Sequence, residues 1–397
     1  MNAAGADSAP RLVLVHGWAP PTVGGTSFVV ERVLRDLGEI SLDVWTRATQ
    51  WRAVRRRAFV LPGRYRYFPK LRSLPRAPAG VAWPSTAVNA LLAPLSGLII
   101  GLSARREGAT WILSVADEGY SQVAGAVAAR VAKVPHVIWV FDVWEENAYA
   151  APDRWVARLL EARIWRAAAA VIVHAEELAQ HYEHKHAVRP HVLRTPIEEH
   201  SIVDSHRARA GADTWEVVVA GSIYWAQVEA LRRVARAVRA VADASLTVIG
   251  DPALHSAHID ADRYEPSSDP EILRDRLARA RLLILGLSFD APFPEVVRTA
   301  TPARLPEYLA TGVPLLVHAP ASSHVARYVR RHHLGTVVDV PDVEAVVDAI
   351  KSVRKDEAVC ALRAARARDW VREAHDVRTV RAAFVALLLS LQHGRRG

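Results

Sequence analysis

Thr301-Pro302-Ala303-Arg304-Leu305-Pro306-Glu307-Tyr308-Leu309-Ala310-Thr311-Gly312-Val313-Pro314 decides how the rest of the chain is read. The stretch predicts a helix marked at both ends. Thr301 suits a cap, and Pro302 suits the first helical position, where a missing N–H costs nothing. Pro306 still falls near the first turn, where a lost donor is tolerated. Gly312 fits the left-handed residue that closes a helix, and Pro314 blocks continuation. The apolar run after it predicts a buried strand at Leu315–His318. Free N–H groups and the positive dipole end at a helix start suit a phosphate, and Arg304 adds a planar cation of matching geometry. Glu307, one turn on, is placed to accept hydrogen bonds from a pair of hydroxyls such as those of a ribose. Phosphate and ribose together imply a nucleotide.

The spacing Pro302-x-Arg304-x-x-Glu307-Tyr308-Leu309-Ala310-x-Gly312-x-Pro314 resembles the signature of bacterial glycosyltransferases of family four, which have the GT-B fold. The resemblance implies an α/β chain of two Rossmann-like domains facing across a cleft. It also implies that Glu307 holds the ribose of a nucleotide-sugar donor. An amphipathic helix before a buried strand in any other α/β domain is the alternative reading of the same residues.

The first strand, Arg11–His16, runs into Gly17-Trp18-Ala19-Pro20-Pro21-Thr22-Val23-Gly24-Gly25, and apolar residues then recur at helical spacing up to Gly38. Strand, glycine loop and helix form the first half of a βαβ unit. The loop lacks the G-x-G-x-x-G spacing of a dinucleotide site. It is similar to the family-four loop "P-P-x-x-G-G", in which Gly24 and Gly25 would let the backbone approach sugar and phosphate. The strand His136–Phe141 ends at Asp142, where open α/β sheets place ligands. The resemblance makes Asp142 the candidate facing the acceptor, with Glu145 and Glu146 as competitors. A helix cap or loop hydrogen bond is the structural alternative. Thr195-Pro196-Ile197 resembles the entry to an interdomain linker.

A second α/β half opens at Trp215–Ala220, followed by Gly221 and Ser222, both expected at the donor. Many relatives carry Arg or Lys after this glycine, but here no cation occurs until Arg232. Phosphate binding is therefore expected from Arg304, Arg298 and backbone amides near Pro302 and Leu305. The family's first glutamate, eight positions before Glu307, is replaced by Thr299. Glu295 is the candidate to substitute, from a loop spanning 286–300. The expected domains are residues 1–197 joined by a final helix at 376–397, and residues 198–375. Catalysis would rest on Asp142, Glu295 and Arg304. The resemblance implies retention of anomeric configuration and no required metal or cofactor, the nucleotide diphosphate sugar being a substrate. A catalytically silent GT-B protein that binds a partner transferase, and a GT-B sugar-nucleotide epimerase, are the alternatives.

Composition bounds these readings. At 397 residues the chain has room for two domains, and 51% hydrophobic with 23% charged residues is ordinary for a globular protein. One cysteine, Cys360, excludes an internal disulfide and a cysteine-based metal cage. Residues 1–10 lack the basic start and apolar core of a secretion signal, so a cytoplasmic location is expected. His174, His181, His184, His186 and His191 match no zinc spacing and read as a solvated histidine-rich helix. The net charge of +9 favours anionic partners. Much of it lies in 51–76, where arginines alternate with Trp51, Phe59, Tyr65, Tyr67 and Phe68. No acidic residue occurs from Val44 to Arg106. The readings for 51–76 are a solvated loop, a surface for anionic membrane on the inner face of the cell membrane, or a nucleic-acid surface. No recognisable nucleic-acid module supports the last. Thr86–Ala104 is nearly uncharged and is expected to be a buried helix rather than a membrane span. The expected acceptor is a glycan, a lipid-linked saccharide or a small metabolite.

Overall fold

A computed structural model of the chain describes residues 9–22, 24–56, 60–69, 78–116, 119–146, 150–203, 215–221, 223–250, 259–266 and 269–393. Its strands come from short apolar runs rich in β-branched residues, such as Leu12–Val15, Val137–Val140 and Leu282–Leu285, which suit strands covered on both faces. All of these residues are buried. The chain divides into two compact units, residues 1–194 with 378–397, and residues 195–377.

The first unit contains β1 (Arg11–Val15), α1 (Gly25–Leu34), β2 (Ser41–Arg47), α2 (Trp51–Arg55), β3 (Arg64–Phe68), α3 (Ala79–Arg106) and β4 (Trp111–Ala116). It continues with α4 (Tyr120–Ala132), β5 (His136–Val140), α5 (Ala151–Ala167), β6 (Ala170–Val173), α6 (Glu176–His186) and β7 (His191–Val192). The strands form one parallel sheet in the order β3-β2-β1-β4-β5-β6-β7. The second unit contains β8 (Trp215–Ala220), α7 (Trp225–Arg239), β9 (Ala244–Gly250), β10 (Arg263–Pro266), α8 (Pro270–Ala278), β11 (Leu282–Gly286) and α9 (Pro294–Thr299). There follow α10 (Arg304–Ala310), β12 (Leu315–His318), α11 (His324–His332), β13 (Thr336–Val338), α12 (Val343–Lys355) and α13 (Glu357–Ala374). Its parallel sheet has the order β10-β9-β8-β11-β12-β13. The last helix, α14 (Val377–His393), packs in the first unit, where Arg381 donates to the carbonyls of Val33 and Arg32 and Phe384 stacks on Trp139.

Both sheets reverse their strand order once, between β1 and β4 and between β8 and β11. These are the topological switch points where sheets of this kind open a crevice beyond the strand ends.

Four elements differ from expectation. The helix expected over 86–104 runs from Ala79 to Arg106, and only one face of it is buried, against α4. Within 51–76, Arg64–Phe68 pairs with β2 as an edge strand; the basic composition hid that pattern. Phe68 is buried there, and the Tyr65 hydroxyl donates to Pro20 O (2.8 Å) and accepts from Leu61 N (3.0 Å). Arg66 pairs with Glu107, one residue beyond the acid-free span, so the stretch is not an uncompensated basic patch throughout. Residues 57–59 and 70–77 lie outside the described residues. The loop expected over 286–300 contains α9. The histidine-rich helix is not simply solvated: His186 is buried against Glu161 (2.8 Å), and His174 is buried beside Phe141.

Candidate functional site

In the second unit the crevice begins where β8 and β11 separate. Their pairing is Val217 with Leu282 and Val218 with Leu283. Two residues further along, Ala220 has its N–H and C=O occupied by one side chain instead of by a strand. The Ala220 N–H donates to Tyr308 Oη (2.5 Å), and Tyr308 Oη donates back to Ala220 O (3.0 Å). Tyr308 is 1% exposed, and burial pushes its hydroxyl up to about 12, opposed by the Ala220 backbone contact. This single hydroxyl fastens α10 to the end of β8.

Fastening at Tyr308 places Arg304, one turn earlier, against Gly221. The Gly221 φ of +125° is open to glycine and strained for other residues, and a Cβ built there would lie 3.6 Å from Arg304 Nε. Arg304 forms an ion pair with Glu307 on the same helix face, three residues apart. Both are partly solvent-accessible, so the pair borders the crevice rather than filling a core. A guanidinium carries five N–H donors in a fork, so one carboxylate contact leaves capacity for an anion. Gly221, Arg304 and Glu307 are thus brought together.

The helix start differs from expectation. α10 begins at Arg304, with Ala303 in the cap position and no side-chain cap. The reason lies in Pro306, which has no N–H to give the Pro302 carbonyl. The ladder therefore cannot extend back through Pro302. The Leu305 N–H takes that carbonyl instead, in a tighter turn (2.8 Å). Thr301 is not the cap, Pro302 is not the first helical residue, and the Leu305 amide is engaged internally while its side chain joins the core. Thr301 Oγ1 is buried with no hydrogen-bond partner among the described residues. The other end follows expectation, with Gly312 left-handed at φ +68° before β12.

Arg298 and Glu295 pair with each other on α9. Thr299, where the resemblance expects a glutamate, is buried and donates its hydroxyl to Glu295 O (2.8 Å). It faces the α9 backbone, not the crevice. Phe293 at the start of α9 meets the Trp225 ring edge to face, at 5.4 Å between centroids. Ser222 lies outside the described residues.

The buried cation of α7 is Arg233, not Arg232, which is exposed. Arg233 donates to His318 Nε2 (3.0 Å), pairs with Glu229 and lies over the Phe289 ring. Glu229 also accepts from Phe289 N (3.0 Å), so these residues hold the segment after β11. His318 Nδ1 contacts Val338 O (3.2 Å); the carbonyl can only accept, so Nδ1 carries the proton and Nε2 accepts from Arg233. Burial above all, then the Arg233 charge, pushes His318 down to about 4 against the Val338 contact. The Glu229-x-x-x-Arg233 spacing was the available sequence signal for this pair.

In the first unit, Gly24 caps α1 with extended backbone, and a Cβ there would meet nothing within 4 Å; Gly25 is the first helical residue. The loop after β1 is fixed by Arg47, whose Nε donates to Gly17 O (2.9 Å) and whose guanidinium lies 3.3 Å from the Trp18 ring centre. Nothing in the sequence marked that pair. Asp142 follows β5 and is exposed. Its competitors are held elsewhere. Glu145 pairs with Lys185 (2.7 Å) and Arg158 (2.8 Å), and Glu146 with Lys185 (2.7 Å) and His181 (3.0 Å). Burial works to raise Glu146, but His181 and Lys185 outweigh it and hold the carboxyl at about 2.

No family model and no curated relative matches the sequence. Solved structures match over nearly its whole length. Sucrose-phosphate synthase (tll1590) from Thermosynechococcus elongatus is 14% identical, with a TM-score of 0.66 over 97% of this chain and 100% of that one. Anabaena Alr3699/HepE in complex with UDP and glucose is 14% identical, with a TM-score of 0.65 over 96% and 100%. A glycosyltransferase from Rickettsia africae ESF-5 is 8% identical, with a TM-score of 0.68 over 97% and 99%. The fold is GT-B. At these identities the likeness extends to architecture, and the chemistry has to be argued from the residues in place.

Proposed function

We propose that the chain is a glycosyltransferase that moves a sugar from a nucleoside diphosphate sugar to an acceptor hydroxyl, with retention of configuration. The observation that carries the reading is the Arg304–Glu307 pair set against the Cβ-less Gly221 at the β8/β11 switch point. In this reading Glu307 accepts hydrogen bonds from the ribose hydroxyls. Arg304 turns its fork to the diphosphate and offsets the charge that builds on it as the sugar–oxygen bond breaks, typically the largest catalytic contribution. Gly221 lets the phosphates approach the backbone. Asp142 is assigned to the acceptor side, and a glycan, lipid-linked saccharide or metabolite supplies the hydroxyl. The solved HepE complexes contain UDP and UDP-glucose, which makes UDP-glucose the first donor to assay.

Two observations favour a second reading. Thr299 supplies no carboxylate, and the Glu295 carboxylate is paired with Arg298 on the same helix. A GT-B protein that binds a nucleotide sugar without transferring it, and supports a partner transferase, would tolerate both. Incubation with nucleoside diphosphate sugars in the absence of acceptor separates the two. Slow release of nucleoside diphosphate, abolished in Arg304→Ala, supports the enzyme; saturable binding with no release supports the silent protein. An epimerised sugar would point to the third expectation, an epimerase.

A further inference from the structure

The helix α3 is built inside out for a surface helix in water. Its protein-facing side is mostly small or polar, including Thr86, Asn89, Ser96, Gly97 and Gly101, with Ile100 its one large aliphatic residue. Thr86 donates to buried Asp153 (2.9 Å). A Cβ on Gly97 would meet Ala124 O at 2.5 Å, and one on Gly101 would meet Val131 Cβ at 2.6 Å, so α3 lies against α4 at a separation only glycine permits. The outward side is large and apolar: Val88, Leu91, Leu95, Leu98, Ile99 and Leu102 are all exposed, Leu91 by 63%. Small residues inward and large aliphatic residues outward is the distribution of a helix whose outer face meets lipid. The face continues onto α5, where Trp155 is exposed and its ring lies 6.0 Å from that of Trp83. Contiguous apolar surface of this kind marks an interaction site.

Three features select the occupant. The helix has the hydropathy and length of a membrane span, yet it connects two parallel strands of one sheet, β3 and β4. Both its ends are tied to the same unit, so it lies along an interface and does not cross one. Tryptophan sits where chains enter the headgroup layer. Exposed arginines border it: Arg105 and Arg106 end the helix, the acidic residue that follows, Glu107, is neutralised by Arg66, and α5 exposes Arg163 and Arg166, the latter also donating to His186 O (3.1 Å). A symmetric self-interface would set such charges against their own copies, whereas an anionic leaflet neutralises them.

We propose that the outward face of α3, continued by Trp155 of α5 and flanked by these arginines, seats the first unit on an anionic lipid bilayer. The test is co-sedimentation with vesicles of phosphatidylglycerol and phosphatidylcholine in equal parts, against phosphatidylcholine alone. The wild-type chain should sediment with the anionic vesicles. Replacing four exposed leucines, L91Q/L95Q/L98Q/L102Q, should lower partitioning at least about a hundredfold, since each loses much of its transfer into hydrocarbon. R105S/R106S, which leaves the apolar face intact and guards against a folding defect in the first variant, should lower it about tenfold or more. The melting profile by circular dichroism should match wild type in both. Wild type remaining in the supernatant at low salt overturns the proposal, as does undiminished binding by the leucine variant. So does a dimer in ultracentrifugation that the leucine variant abolishes while vesicles bind neither form, which would make the face a self-interface. The assay reads no sugar transfer, so its failure leaves the glycosyltransferase reading untouched.

Discussion

Replacing Tyr308 by Phe removes one oxygen and tests how the second unit holds its crevice open. In the wild type that oxygen accepts from Ala220 N (2.5 Å) and donates to Ala220 O (3.0 Å), and the ring is 1% exposed. The benzyl group stays, so packing is nearly unchanged. The loss is the satisfaction of two backbone groups that β11 does not reach. A stranded buried donor costs about 1–3 kcal/mol, and the carbonyl adds about 1 kcal/mol. The sum, about 2–4 kcal/mol, lowers hydrogen-exchange protection at the end of β8 and in α10 about thirty- to a thousandfold if those amides exchange through a shared opening. Exchange measured by mass spectrometry on peptides covering 215–221 and 304–312 reads this directly, and peptides of the first unit serve as the internal reference. Loosening α10 also displaces Arg304 and Glu307, so affinity for a donor should fall about tenfold alongside. Unchanged protection at both peptides would refute the assignment of Tyr308 as the fastening of α10 to β8.

Arg304→Lys should retain part of the activity that Arg304→Ala loses, because an ammonium still meets phosphate as a point charge but not as a fork. Steady-state kinetics with one donor decides it, and equal rates for wild type and Arg304→Ala would remove this residue from the mechanism. Acid should destabilise the second unit through His318. The unfolded histidine takes a proton near its ordinary value of 6.5, whereas the buried ring does so only near 4. Stability is therefore complete above pH 6.5 and falls by about 3 kcal/mol as pH drops to 4. Urea unfolding at pH 7 and pH 4.5, in wild type and His318→Gln, checks this; the variant's pH dependence should be flatter.

The parts of this structure legible in the sequence are those with local causes. Gly312 and Pro314 close α10 because one tolerates a left-handed backbone and the other cannot continue a helix, and both constraints travel with the residue. The buried strands announced themselves as apolar runs. The start of α10 was misplaced because two prolines compete there: Pro302 favours a start, but Pro306 withholds the hydrogen bond that would include it. Tyr308 was visible as a motif letter, yet its task depends on β11 leaving β8 after Val218, which no local pattern encodes. Arg233 and His318 are eighty-five positions apart and meet through sheet order. The α3 face was the largest miss. Apolar composition predicts a helix that avoids water, but which side of it the protein covers is set by α4 packing against Gly97 and Gly101.

Calorimetric titration of nucleoside diphosphate sugars, UDP-glucose first, into wild type and Glu307→Ala measures whether Glu307 holds the donor ribose. A hydrogen bond to a charged group contributes about 1.5–3 kcal/mol, so the variant should bind about ten- to a hundredfold more weakly with an unchanged melting profile. A donor analogue lacking both ribose hydroxyls should bind wild type about as weakly as the natural donor binds the variant, and should not distinguish the two proteins. Failure of every nucleoside diphosphate sugar to bind wild type, or equal binding of the natural donor by Glu307→Ala, would contradict a donor site at Glu307.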